Sequence, residues 1–225
     1  MRPEVLVFDV NETLIDIDSL QPYFGRVFGD PLVLREWFGQ LVMYSMAITL
    51  AGRYTDFFTL GQAALRMTAD IRQVDLTEDD LAALAESMRA MPAHADVAEG
   101  LQSLRDTGYR LVTLTNSPHS DGPTPLDNAG LADYFEHQFT VGDQRVFKPA
   151  PSLYTGVADH LGVAPSDCMM VAAHMWDTLG AQAAGFSGAL ITRPGNAVLR
   201  APDVPQPTVI ASDLLQLNRI LEEQS

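Results

Sequence analysis

The sequence predicts a doubly wound α/β fold whose parallel sheet is interrupted after its first strand by an all-helical insertion. Two observations carry this expectation. Four short apolar runs alternate with helical stretches, and a long segment between the first two runs contains no strand-like run at all. The runs are EVLVF at residues 4–8, RLVTL at 110–114, CMMVA at 168–172 and GALIT at 188–192. Continuous apolar runs of this length suit strands buried on both faces, as in a parallel sheet. Helical stretches at 98–106, 152–161 and 178–184 precede the last three runs, which is the alternation a parallel sheet requires.

Between residues 16 and 92 helical patterns take over, at 34–50, 57–71 and 78–91. Pro22 and Pro31 punctuate the way out of the sheet and Pro92 the way back. The expected division is therefore a core made of residues 1–15 and 93–225, and a helical unit of residues 16–92. Ligands of open parallel sheets bind beyond the carboxyl ends of the strands, so an insertion rooted after the first strand is expected to lie over the site as a lid.

Composition narrows the partners. A chain of 225 residues that is 47% hydrophobic can bury a substantial core unaided. Its 14 basic and 29 acidic side chains give a net charge of −15, which repels nucleic acid and anionic membranes and leaves a small molecule as the expected partner. The single cysteine, Cys168, cannot form an intramolecular disulfide, and the N-terminus lacks signal-peptide features, so a cytoplasmic location is expected. The apolar run at 41–51 is broken by Tyr44, Ser45 and Thr49 and falls short of the ~20 residues of a membrane span, so it reads as a buried helix.

Four clusters fall at strand ends or in the loops beside them. They are Phe8-Asp9-Val10-Asn11-Glu12-Thr13-Leu14, Leu114-Thr115-Asn116-Ser117, Lys148-Pro149 with Tyr154 beyond, and Val171-Ala172-Ala173-His174-Met175-Trp176-Asp177. In that order they resemble the haloacid dehalogenase superfamily: an Asp-x-x-x-Thr-Leu loop, a hydroxyl residue after the second strand, a lysine before a proline and a late acidic loop. Within it the chain is most similar to the type II 2-haloacid dehalogenases, through Arg53 to Phe57 (RYTDF), the Lys148-to-Tyr154 spacing and the Trp176-Asp177-x-x-Gly180-Ala181 ending. The resemblance implies a Rossmann-like core with an inserted helical cap, and metal-independent hydrolysis of short 2-haloalkanoates without a cofactor.

The residues also speak for themselves. A carboxylate at a strand end can attack an electrophile and split a hard displacement into two easier steps, and Asp9 is that candidate. A lone Asp there would more often cap a turn, but Lys148 and Asp177 stand beside it in the motif. Lys148, the only lysine in the chain, would keep Asp9 ionised, with Asp177 balancing the lysine. Thr115 and Asn116, with Val10, Asn11 and the backbone of the Asp9 loop, suit binding of a substrate carboxylate, and Tyr154 would orient it. A helix N-cap is the competing role for Thr115.

Superfamily phosphatases generally place a second Asp two positions after the nucleophile and an acidic pair in the late loop. Here Asn11 and Ala173 stand in those places, which disfavours octahedral Mg²⁺ and the general-acid step. A phosphatase with unusual helpers and a non-catalytic ligand-binding relative are the two alternatives to dehalogenation. The chain also departs from the dehalogenases. Phe38, after Trp37, occupies the place of a cap arginine that assists the departing halide, and His174 stands where an asparagine is usual. His174 is then the available donor for the halide, with the Trp176 indole beside it. His94, His119, His137 and His160 lack metal-ligand spacing and read as solvated, while Arg53 reads as a structural arginine of the cap. Trp37, Tyr44, Phe57 and Trp176 suit either an apolar pocket or plain core. The resemblance further implies a homodimer, to which the apolar helix around residues 41–50 could contribute.

Overall fold

The computed structural model describes residues 2–119 and 122–224. Strand β1 (Val5–Phe8) is buried along its whole length. The chain then leaves the sheet through four helices, α1 (Gln21–Phe28), α2 (Val33–Leu50), α3 (Phe57–Arg72) and α4 (Glu78–Arg89). It returns through α5 (Val97–Asp106), β2 (Arg110–Thr115), α6 (Pro125–Asn128), β3 (His137–Thr140), α7 (Pro151–Leu161), β4 (Cys168–Ala172), α8 (Met175–Ala183), β5 (Ser187–Ile191), β6 (Val209–Ala211) and α9 (Leu214–Glu223). The six strands form one sheet of order β3-β2-β1-β4-β5-β6, every neighbouring pair parallel. The strand order reverses beside β1, because β2 flanks it on one side and β4 on the other. That switch point opens a crevice at the carboxyl ends, and Asp9 follows β1 directly into it.

The sheet contains two strands that the apolar runs do not mark, β3 and β6. Both lie at its edges. The HQFT of β3 is half-polar and partly exposed, and β6 is three residues long with Ile210 facing solvent. An edge strand buries little, so nothing forces its sequence into an apolar run. Helix α8 begins at Met175 rather than 178, which puts Trp176 and Asp177 in its first turn instead of in a loop.

The insertion has its own packing logic. Asp56 caps α3, and Thr77 with Asp80 forms a reciprocal capping box at the start of α4. Trp37 belongs to the core. It packs on Phe24 at 5.3 Å between ring centres, and its indole N–H donates to the Gly61 carbonyl at 2.9 Å. The reading of the run at 41–51 as wholly buried is corrected: Leu41, Val42 and Ser45 face inward, but Met43, Tyr44 and Leu50 are exposed, Leu50 by 89%. The outgoing and returning chains meet in a short antiparallel bridge between Ile15 and Ala93, flanked by Asp16 N–H to Pro92 C=O at 2.8 Å and His94 N–H to Leu14 C=O at 3.0 Å.

One close approach matters for the site. A Cβ added at Gly180 on α8 would lie 2.5 Å from the Pro149 Cβ and 2.6 Å from its carbonyl oxygen. Only glycine lets α8 lie this close to the Lys148-Pro149 turn, and Asp177 sits one turn earlier on the same helix.

Candidate active site

The Asp9 loop is held from several sides. The Asp9 N–H extends the sheet by one rung, donating to the Val171 carbonyl at 3.0 Å. The chain then folds back so that Leu14 N–H reaches the Val10 carbonyl at 2.9 Å, with Glu12 in the left-handed region at φ 69°. A non-glycine residue there costs on the order of 1–3 kcal/mol, a strain that functional loops tolerate when their surroundings fix them. The surroundings do so here. Thr13 donates its hydroxyl to Asp9 Oδ2 at 2.7 Å and accepts the Ala173 N–H at 2.8 Å. Arg193, bidentate to Asp96 at 2.6 and 3.1 Å, donates its Nε–H to the Thr13 carbonyl at 3.0 Å.

Lys148 lies at the centre, fully buried. Its ammonium donates to Asp9 Oδ1 at 2.8 Å, Asp177 Oδ2 at 2.6 Å and the Leu114 carbonyl at 2.9 Å, which uses all three N–H bonds. Burial alone would depress the lysine pKa, but the two carboxylates outweigh it and raise it. Burial likewise pushes the Asp9 carboxyl up, yet Lys148 and His174 together hold it well below the usual carboxylate range. Asp177 goes the other way. It is buried and faces Asp9, and its pKa is raised despite the lysine. Two carboxylates on one cation are thus driven apart, leaving Asp9 as the anion suited to attack.

On the other side of Asp9 stands an arrangement that the motifs did not reveal. His174 Nε2 is 2.7 Å from Glu12 Oε2, and Glu12 is nearly fully buried. Arg35 of α2 binds the other Glu12 oxygen and also reaches Asp18 Oδ1 at 2.7 Å and the Pro194 carbonyl at 3.2 Å. His174 Nδ1 faces Asp9 Oδ2 at 3.4 Å, an electrostatic approach rather than a formed hydrogen bond, and has no other partner among the described residues. Burial lowers the imidazole pKa, but Asp9 and Glu12 override it and push it up to about 9. At neutral pH this favours the charged form of the donor expected at this position. Phe38 packs on its ring at 5.8 Å and Trp176 stacks on it at 4.8 Å. The Lys148 ammonium lies 5.6 Å from the Trp176 ring centre.

Because the folded pKa of His174 lies above the ordinary 6.5, its contribution to stability is complete below pH 6.5 and is lost as pH rises through about 9. The ceiling is about 3 kcal/mol, at 1.36 kcal/mol per unit. Urea unfolding is expected to show the wild type losing stability between pH 7 and 9.5, with His174→Gln much flatter over that range.

The remaining candidates divide. Asn116 is buried and turned toward the protein, its Oδ1 accepting the Lys148 N–H at 3.0 Å. Thr115 Oγ1 accepts the Ser117 N–H at 3.1 Å, and Asn11 Nδ2 donates to Ser117 Oγ at 3.3 Å. Val10, Asn11 and Thr115 line a cavity of about 410 Å³, walled also by Phe57 of α3, Met88 of α4 and Leu126 of α6. Tyr154 does not face it. Fully buried on α7, it donates its hydroxyl to Asp177 Oδ1 at 2.6 Å, so it positions that carboxylate rather than the substrate. Arg53 is exposed, and Arg35 is the arginine that ties the insertion to the core. His94 is half-buried instead of solvated, with Nε2 3.0 Å from the Glu12 carbonyl oxygen. Among the described residues no group of three or more His, Cys, Asp or Glu side chains is placed to hold a metal ion.

Glu12 and Arg35 had a signal. Glu12 is the one acidic residue between Asp9 and Thr13, and Arg35 precedes Phe38 by three positions, on the same face of α2.

A carboxylate kept ionised by a buried lysine, at the switch point of a parallel sheet, is the architecture of a hydrolase with a carboxylate nucleophile. Residues 3–185 match the model of the haloacid dehalogenase-like hydrolases, and the chain belongs to that family. It is 29% identical over 222 residues to an (S)-2-haloacid dehalogenase of Xanthobacter autotrophicus, spanning 98% of this chain and 87% of the relative. It is 27% identical to haloacetate dehalogenase H-2 of a Moraxella species, across 94% of this chain and 96% of that one. Among solved structures, the L-2-haloacid dehalogenase of Xanthobacter autotrophicus with chloropropionic acid covalently bound is similar with a TM-score of 0.88 and 25% identity, covering 99% of this chain and all of that one. A haloacid dehalogenase-superfamily phosphatase of Thermococcus onnurineus shares the fold, with a TM-score of 0.63 at 24% identity over 97% of each chain.

Proposed function

We propose that the protein hydrolyses the carbon–halogen bond of a small 2-haloalkanoic acid through an ester on Asp9. The observation that carries this reading is the buried Asp9–Lys148–Asp177 set, with its two carboxylates driven to opposite protonation tendencies. In the first step an Asp9 oxygen bonds to the carbon that bears the halogen, the carbon–halogen bond breaks with inversion, and halide leaves with its electron pair. In the second, water adds to the Asp9 carboxyl carbon and the 2-hydroxyacid departs. Lys148 and the Thr13 hydroxyl stabilise charge on the Asp9 oxygens, while Tyr154 and Lys148 hold Asp177.

The cavity beside Val10, Asn11 and Thr115 is the proposed place of the substrate. Residues 16–92 act as a cap over it, hinged at the Ile15–Ala93 bridge, and Arg35 latches that cap to the core loops. Such a lid would keep bulk water from the first step.

A single turnover of 2-chloropropionate in ¹⁸O-water tests the reading. Halide is expected in solution and the first ¹⁸O in Asp9, located by peptide mass analysis. Prompt label in the product would mean direct attack by water, and a halide-release screen blank across chloro-, bromo- and fluoroacids would end the dehalogenase reading.

A further inference from the structure

We propose that His174, oriented by Glu12, is the general base that hydrolyses the Asp9 ester, rather than a donor to the departing halide. The proposal rests on the ester reading above. Its starting point is position. In an in-line displacement the halide leaves from the side of carbon opposite the attacking oxygen, whereas His174 Nδ1 lies 3.4 Å from an oxygen of the nucleophile itself. A ring nitrogen there is beside the carbon that water must attack in the second step.

The rest of the ring is arranged to match. Nε2 is tied to a buried carboxylate at 2.7 Å, while Nδ1 is buried, lacks a hydrogen-bond partner among the described residues and points at Asp9. A carboxylate that fixes one imidazole nitrogen sets the tautomer and leaves the other nitrogen to move a proton. The charges facing His174 are Asp9 and Glu12 from the nucleophile loop, with Lys148 behind Asp9, Arg35 of α2 behind Glu12, and Asp177 on its own helix; Phe38 and Trp176 offer aromatic faces only.

This setting makes the base appear when it is needed. In the free site two carboxylates keep the imidazole protonated. Alkylation of Asp9 removes one of them, and the imidazolium proton leaves to solvent as halide departs. Neutral His174 then has Nε2–H on Glu12 and a free lone pair on Nδ1. Water gives one proton to Nδ1 as its oxygen bonds to the Asp9 carboxyl carbon. The bond to the alkyl oxygen then breaks, and the alkoxide takes the second proton from the new hydroxyl group. The products are the 2-hydroxyacid, Asp9 as carboxylate and His174 as imidazolium, which is the starting state.

Rapid-quench kinetics with 2-chloropropionate separate the steps. His174→Ala and the isosteric Glu12→Gln are each expected to keep a halide burst of about one equivalent while ester decay slows, by roughly 10²–10⁴-fold for His174→Ala, the usual contribution of a general base. The trapped ester would be visible in the intact mass. Added imidazole should speed its decay in His174→Ala, and Glu12→Gln should lower the apparent pKa of the decay step. If either variant loses the burst as well, or if ester decay is unchanged in both, the dyad is not the base and the ester reading stands. A wild type that forms no ester would remove both together.

Discussion

Lys148→Met is expected to destabilise the protein by about 3–5 kcal/mol and to abolish halide release. The substitution keeps volume and removes the charge that two buried carboxylates share, and stranding a buried partner costs that much because nothing replaces the lost ion. Water cannot readily help, since Asp177 is fully buried and Asp9 is 4% exposed. The deficit should depend on pH. In the wild type the depressed Asp9 pKa contributes stability that is present above the ordinary carboxylate pKa and is lost only as pH falls through the lower folded value. In the variant the two facing carboxyls cannot both ionise cheaply, so one takes a proton and the difference from wild type shrinks toward pH 5. Urea unfolding of both proteins at pH 5 and 7.5 reads this directly. A loss below 1 kcal/mol, or one equal at both pH values, would mean that Lys148 is not the keystone of the site. Adding Asp177→Asn should restore part of the loss, a non-additivity expected of groups in one network.

How much of this was legible in the residues follows from how local each signal is. Strands β1, β2, β4 and β5 announce themselves because a central parallel strand is buried on both faces and must be apolar throughout. Strands β3 and β6 do not, since each has one neighbour and a partly wet surface. Helix α9 is readable once Leu214, Leu217 and Leu221 are traced along one face, whereas α1 hides behind Pro22 and Gly25. Asp9, Lys148 and Asp177 were legible because each follows the carboxyl end of a sheet segment at a spacing set by the chain. The Glu12–His174 contact was not. It joins residues 162 apart, and only the side-by-side placement of β1 and β4 makes them neighbours. Arg35 was obscured because its partners Glu12 and Asp18 lie in an earlier loop, and only the packing of α2 on that loop makes them neighbours. Tyr154 was misread because sequence spacing gives proximity to the site without telling which side of a carboxylate a ring occupies.

Asp9→Asn tests the whole arrangement at its centre. The amide is isosteric, but it is a poor nucleophile toward carbon, so turnover of any 2-haloacid should fall on the order of 10⁴–10⁶-fold, the scale seen when a covalent nucleophile is removed. The fold should survive. Lys148 keeps Asp177 and the Leu114 carbonyl as partners, so the loss of stability should be smaller than for Lys148→Met. A second readout comes from the neighbour that shares the Asp9 charge. With one of its two anions gone, His174 should titrate below its value of about 9, as followed by its imidazole C–H resonances in NMR. The same change mimics the alkylated enzyme, in which Asp9 has no charge, so the variant reports on the protonation state that the second step requires. If turnover collapses while His174 does not move, the nucleophile is right and the coupling between Asp9 and His174 is wrong. If turnover persists near the wild-type level, Asp9 forms no ester and the carbon–halogen bond is broken by another route.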